Sequence, residues 1–499
     1  MPLSRRAFLK VLGLGAAAVA SPRLASRSAA EAAPAAGKPN IVFILADDLG
    51  YMDVGFMGST FYETPNLDRL AAEGVIFSDA HSNGANCAPT RASLMSGMYT
   101  PRHGVYTVGT SQRGPSARRK LIPTPNTVDL RGDIVTVAEC LKAAGYATAS
   151  MGKWHLGDGP LGPCGQGFDL NVGGNRAGNP SSYFSPYRNK DLPDGPPGEY
   201  LTDRLTDEAV KFIEAHKDRP FFLYLPHYAV HSPLQAKKEM MEKYKAKPPC
   251  RGQNNPTYAA MIESMDQGVG RTLKALDDAG VAGRTVVVFF SDNGGVGGIT
   301  DNAPLRGAKG MPYEGGHRVP LAVRWPGRVK PGSRCDATVL GLDFYPTLLE
   351  IAGAAPPKQP MDGASLVPLL GGGGNFDRGR AVFWHLPVYL EGGAGGWRCT
   401  PCSVIRKGDW KLIEFFEDLH VELYNLRDDL GESKDLAAAQ PDKARELLAD
   451  LKAWQKSVHA PIPTEPNPEY DPAAKGGAAK GGRKAGKKSV PADETDDEQ

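Results

Sequence analysis

Two apolar runs, each stopped abruptly by acidic residues, constrain the fold of this chain most. Asn40-Ile41-Val42-Phe43-Ile44-Leu45-Ala46 ends at Asp47-Asp48. Thr285-Val286-Val287-Val288-Phe289-Phe290 ends at Ser291-Asp292-Asn293-Gly294-Gly295. Runs with no polar alternation read as strands covered on both faces, the pattern of a parallel sheet. Helical segments alternate with them. Thr64-Pro65 reads as a helix start, with Thr as N-cap and Pro in the first turn, and Gly74 as the stop. Ile134 to Ala144 has helical apolar spacing and ends at Gly145; strand-like Tyr146–Ser150 then leads into Gly152-Lys153-Trp154-His155-Leu156-Gly157. This alternation predicts an α/β fold with a mainly parallel sheet. In such sheets ligands bind at the carboxyl ends of the strands. Asp47, Asp48, Asp292 and Asn293 would sit there, oxygen ligands able to meet around one hard cation.

The chain divides into four parts. Residues 1–36 read as an export signal: Ser4-Arg5-Arg6-Ala7-Phe8-Leu9-Lys10, the apolar run Val11–Ala20, then small residues such as Ala33-Pro34-Ala35. The paired arginines fit a twin-arginine signal; an ordinary secretory signal is the alternative. Residues 37–380 form the expected catalytic domain. From 381 to 460 the texture changes to short strands (Val404–Ile405, Trp410–Glu414, Glu422–Tyr424) and a last helix near Pro441–Trp454, a smaller α+β domain. Residues 461–499, poor in bulky apolar side chains, are expected to be disordered. A net charge of +2 argues against nucleic-acid binding, and no segment is apolar for long enough to form a permanent membrane anchor. The 59 glycines and 42 prolines suit an enzyme with large loops around its site.

Cys87-Ala88-Pro89-Thr90-Arg91-Ala92-Ser93-Leu94-Met95-Ser96-Gly97 puts a cysteine at a turn and a helix start just after it. A helix N-terminus offers free N–H groups and a positive dipole end to an anion, and Arg91 adds a charge-assisted donor. Read alone, Cys87 is equally a buried small hydrophobe or half of a disulfide. The stretch resembles the Cys-x-Pro-x-Arg motif of type I sulfatases, in which the cysteine is oxidised to formylglycine. Further matches run in order: Asn40–Tyr51, Thr64–Ala71, Gly152–Gly157, His231-Ser232-Pro233-Leu234, Ser291–Gly294, Leu305–Gly310, Tyr313–Pro320 and Glu422–Leu426. Two positions depart from the common pattern, Thr90 for serine and Ser96-Gly97-Met98 for Thr-Gly-Arg.

The resemblance implies an alkaline-phosphatase-like α/β/α sandwich with a smaller C-terminal domain, and a periplasmic or secreted enzyme hydrolysing sulfate esters of small molecules or glycans. It implies that Asp47, Asp48, Asp292 and Asn293, with the modified Cys87, hold Ca²⁺, or less readily Mg²⁺. It implies a hydrated formylglycine as nucleophile, Arg91 beside it, His155 as the base for its release, and His231 at the leaving oxygen. Lys153 and Lys309 would neutralise charge on the sulfate. A formylglycine-generating enzyme and the twin-arginine export machinery are the implied partners. His317 and Arg318 are left between structural and pocket roles; His81 and His103 read as loop or core residues. Gly173-Gly174-Asn175-Arg176 is a candidate for one more polar contact to sulfate, and stretches 157–178 and 371–396 for the substrate pocket. Seven cysteines is an odd number; with Cys87 modified, six are left for up to three disulfides, a local Cys399–Cys402 bridge first among them. The competing functions are a phosphoester or phosphonate monoester hydrolase on the same fold, and a silent glycan-binding protein in which Cys87 stays a thiol.

Overall fold

The computed structural model describes residues 37–371, 375–377, 379–392 and 396–474. The proposed export signal lies outside them.

Eight strands build the central sheet: β1 (Asn40–Ala46), β2 (Val75–Phe77), β3 (Ala147–Met151), β4 (Leu170–Val172), β5 (Phe221–Pro226), β6 (Thr285–Ser291), β7 (Leu321–Arg324) and β8 (Ser333–Cys335). Their order is β4-β3-β5-β1-β6-β7-β2-β8. All neighbours are parallel except β7, which runs against both β6 and β2. β1 is central because every one of its residues is buried. Ile41, Phe43 and Leu45 enter one core, with the helices Cys87–Ser96, Val137–Ala143 and Phe344–Ala352. Val42, Ile44 and Ala46 enter the other, with the helices Leu201–Ala215 and Pro256–Asp278. This is the two-faced burial expected of an unalternating run. Phe43 meets Phe344 edge-on at 5.0 Å, a geometry that adds about 0.5–1.5 kcal/mol beyond area burial.

The helix Pro65–Ala72 starts where expected, but Thr64 makes no side-chain cap. Its hydroxyl instead accepts from Gly55 N–H and donates to Asp68. The orphan N–H groups of Asn66 and Leu67 donate to the buried carboxylate of Asp266, brought in from the long helix. A tertiary contact has replaced the local cap.

The C-terminal part is an antiparallel sheet in chain order, β9 (Ala381–Leu386), β10 (Cys402–Lys407), β11 (Trp410–Phe415) and β12 (Val421–Asn425), packed on the helix Pro441–Ser457. Residues 461–474, read from composition as part of a disordered tail, are docked on the catalytic part. Ile122 N–H donates to Glu465, and Asn467 Nδ2 donates to Ser116 and Arg119 carbonyls at 2.8 and 2.9 Å. Backbone pairing and one asparagine hold what apolar content does not. No cysteine is paired with another among the described residues. Cys399 and Cys402 lie 3.7 Å apart at sulfur, and the Cys399 thiol donates to Thr400 O. Cys140, Cys164 and Cys335 sit on separate elements, and Cys250 lies between the helices Lys238–Lys245 and Pro256–Asp278. Among the described residues no helix is long and apolar enough to cross a membrane.

Candidate active site

The carboxyl ends of β1, β5 and β6 are tied together by their own backbones. Asp47 N–H donates to Ala229 O, Val230 N–H to Asp47 O, His227 N–H to Leu45 O, and Asp292 N–H to Ala46 O. Asp48 takes a left-handed backbone, φ 62°, unusual outside glycine and tolerated by aspartate. That turn lets Asp48 N–H face Asp292 Oδ1 at 3.2 Å, while its own Oδ1 accepts from Asn293 Nδ2 at 2.8 Å. Behind it, Asp53 accepts from Gly50 N–H and Thr300 and lies 2.8 Å from the Tyr258 hydroxyl, which also reaches Asp48 O. Burial outweighs these bonds and raises the Asp53 carboxyl to about 6. Nothing in the local sequence marks Asp53 as this support.

Cys87 is the first residue of a ten-residue helix with no exposed position. Gly97 closes it at φ 71°, a conformation that favours glycine. Thr90, one of the unusual residues of the motif, accepts from Gly84 N–H and donates to Gly84 O, fastening the loop before Cys87. Arg91 donates from Nε and Nη2 to Asp292 Oδ2 at 2.9 and 2.7 Å, and from Nη1 to Lys153 O at 2.6 Å. Lys153 Nζ donates to Asp47 Oδ2 at 2.8 Å. Lys309 Nζ donates to Asp48 Oδ2 at 3.0 Å and lies 3.2 Å from His231 Nε2. All the residues expected at the site by resemblance therefore converge. Asp47, Asp48 and Asp292 face Arg91, Lys153 and Lys309, so the fixed charges balance.

Gly152 is what lets Lys153 arrive. Its φ is 123°, and a Cβ there would lie 1.9 Å from Pro226 O, which accepts from Lys153 N–H. His155 also has a left-handed backbone, φ 63°, and its N–H donates to Asn175 O at 2.8 Å.

Protonation follows from these contacts. Burial raises the Cys87 thiol, but Lys153, His155 and Lys309, with a hydrogen bond from His155, outweigh it and bring the thiol below its usual range. Burial and the charge of Asp47 push Asp292 to about 6 against the pull of Arg91. Burial and the Lys309 charge lower His231 to about 4, so the ring is neutral. Its Nδ1 faces the Ser232 carbonyl at 2.9 Å, which assigns the proton to Nδ1 and leaves Nε2 accepting from Lys309. His227, four residues earlier, is fully buried away from these contacts, with neither ring nitrogen bonded among the described residues.

At the acidic centre two buried acceptors, Asp47 Oδ1 and Asn293 Oδ1, have no donor among the described residues. Each orphan costs about 1–3 kcal/mol. A hard divalent cation would satisfy both, and the oxygens of Asp47, Asp48, Asp292 and Asn293 are of the right type. The residues fit such an ion.

His317 and Arg318 lie elsewhere, in a buried cluster beneath the C-terminal sheet. Lys411 Nζ lies 3.1 Å from His317 Nε2, the two histidines His317 and His81 meet at 3.0 Å between Nδ1 atoms, and His81 Nε2 lies 3.0 Å from Asp79. Trp384 stacks on His317 and donates to Ser82 O at 2.7 Å, in the loop that leads to Cys87. The side chains of Asn175 and Arg176 are committed to Asn189 and Asp129; the Asn175 carbonyl accepts from His155 N–H.

A mainly parallel sheet with its acidic cluster at the carboxyl ends, and an antiparallel sheet after it, has the form of the alkaline-phosphatase-like hydrolases. The family model described as sulfatase matches residues 39–354, and one described as N-sulphoglucosamine sulphohydrolase, C-terminal, matches 308–459. A sulfatase of Formosa agariphila is 36% identical over 92% of this chain and 96% of its own length. Human N-acetylgalactosamine-6-sulfatase is 34% identical, covering 70% of this chain and 68% of its own. The solved structure of Ps i-CgsB in complex with k-i-k-neocarrahexaose has a TM-score of 0.69 at 31% identity, over 84% of this chain and 92% of that one. The chain belongs to the sulfatase family, and it is a sulfuric ester hydrolase.

Proposed function

We propose that this enzyme removes sulfate from sulfated saccharides, using formylglycine formed from Cys87 and a Ca²⁺ ion held by Asp47, Asp48, Asp292 and Asn293. The observation that carries this reading is the buried Cys87 at a helix start, beside three cations and two orphaned oxygens. Saccharide substrates are favoured by the names of N-acetylgalactosamine-6-sulfatase, 34% identical, and of the neocarrahexaose complex, 31% identical, over that of mouse steryl-sulfatase, 30% identical. Formed from Cys87, the formylglycine hydrate would supply one hydroxyl as nucleophile toward sulfur and a second whose proton loss would release sulfate and restore the aldehyde. The cation would draw charge from the sulfate oxygens.

The chain's own residues do the rest. Arg91 holds Asp292 and, through Lys153 O, the strand end beside Cys87. His155, hydrogen-bonded to the Cys87 side chain, is placed to take the second hydroxyl's proton. His231 Nε2 accepts from Lys309, so the proton for the departing alcohol is supplied by the Lys309–His231 pair. Lys153 and Lys309, both buried, stabilise the growing charge. Export through a twin-arginine signal to the periplasm, after modification by a formylglycine-generating enzyme, completes the reading.

The test joins two measurements on protein from a host that makes formylglycine. Peptide mass spectrometry across Cys87 should show the aldehyde, and a panel of sulfated saccharides should release sulfate. A peptide found only as the thiol in active enzyme would sink the nucleophile. A clear preference for an aryl phosphate over the matching aryl sulfate would favour the phosphoester reading.

A further inference from the structure

A cavity of about 1260 Å³ opens beside the acidic centre, larger than the roughly 300–1,000 Å³ of a drug-sized site. Asn175, Ala177 and Tyr228 line the side that meets the centre. His155 N–H donates to Asn175 O, His231 N–H donates to Tyr228 O at 3.0 Å, and a Cβ on Gly178 would lie 2.6 Å from His155 Cε1. The cavity wall is thus bonded directly to the two histidines of the centre. The C-terminal segment Ile462–Glu465 supplies another wall.

Three cationic side chains line this cavity, and they are not equivalent. Arg176 is bound to Asp129 at 2.6 Å and Lys190 to Asp158 at 3.0 Å. Arg188 is exposed and makes neither an ion pair nor a hydrogen bond among the described residues. Its backbone is held in the left-handed region, φ 53°. On one side Tyr187 N–H donates to Asp194 at 2.6 Å; on the other Asn189 donates to Gly173 O and accepts from Asn175, both at 2.9 Å. An uncommitted guanidinium on a held backbone can present the two parallel donors that match a carboxylate or a sulfate. Asp158 and Glu465 also line the cavity, so an anion is read at one place and not by a general basic surface.

We propose that Arg188 is a specificity-determining residue that binds a second anionic group, a carboxylate or a further sulfate, on the saccharide whose ester occupies the centre. This rests on the sulfatase reading, and it makes saccharides with at least two negative groups the preferred substrates. The full chain and Arg188→Gln are compared by inhibition of aryl sulfate hydrolysis. The inhibitors are inorganic sulfate, a monosulfated hexosamine, a disulfated hexosamine, and a monosulfated hexosamine joined to a uronate. Arg188→Gln should raise the inhibition constant of at least one doubly anionic saccharide about tenfold or more, as expected for a charged hydrogen bond. Values for sulfate, the monosulfated sugar and aryl sulfate kcat/KM should stay within about twofold, and Arg188→Lys should recover part of the loss. The arm that responds identifies the second anion. An equal change in every arm, or none in either doubly anionic arm, overturns the proposal. If the wild type hydrolyses no sulfate ester, the sulfatase reading fails by itself; calorimetric binding of the same saccharides to both proteins then decides the Arg188 subsite.

Discussion

Arg91 carries more of the centre than any other cation, because its guanidinium is fully buried and engages both Asp292 and the backbone of Lys153. Arg91→Ala should cost about 3–5 kcal/mol, since it strands a buried carboxylate; urea unfolding of the variant against the wild type measures this, and a loss under about 1 kcal/mol would contradict it. The orphaned Asp47 and Asn293 oxygens give a second expectation. Chelation should remove activity and lower Tm, and Ca²⁺ at about one hundred times its Kd should return about 2.7 kcal/mol of stability; an unchanged melting curve would argue against the cation. These residues were legible from sequence because each lies at a strand end or helix start that local pattern marks. Arg188 was not: only the fold brings residue 188 to the cavity where Asn175 and Tyr228 meet the centre.

The elements divide by length and by surroundings. β1 and β6 could be read because seven consecutive buried residues leave no other structure open to them. β2, β4 and β8 have three residues each, too few for any period to show. The cap of the helix Pro65–Ala72 was misread because Asp266, two hundred residues away, outcompetes Thr64 for its N–H groups. The most exacting junction joins the ends of β3 and β5. Gly152→Ala must separate them, because its Cβ would fall 1.9 Å from Pro226 O. Displacing Lys153 by about 1 Å should lower kcat/KM by about 10²-fold. Steady-state kinetics on an aryl sulfate check this, and a variant with full activity would show that the strand ends can move without cost.

At the scale of the molecule, acid is the expected weakness. Burial lowers His103 to about 3, and His227 and His385 to about 4, against about 6.5 when unfolded. The unfolded chain therefore binds protons first, so this stability is present above pH 6.5 and is lost as pH falls through about 4. His385 is remote from the acidic centre, bonded to Ser403 and Pro461. Tm measured against pH for His385→Gln should fall less steeply on the acid side than for the wild type; parallel curves would remove His385 from the account. Ending the chain at Ala460 should lower both Tm and saccharide turnover, because residues 462–465 line the cavity and Asn467 pins the segment to Ser116 and Arg119. Composition could not show this docking, since it rests on partners about 350 positions earlier. The burial of the helix that begins at Cys87 also sets a clock. With 2% of Cys87 exposed and no surface position on its helix, an oxidising catalyst can reach the thiol only while the chain is still open. If Cys87 is converted to the proposed aldehyde, its yield is a race between that catalyst and folding, so variants that fold slowly, short of aggregating, would be more completely oxidised than those that fold fast.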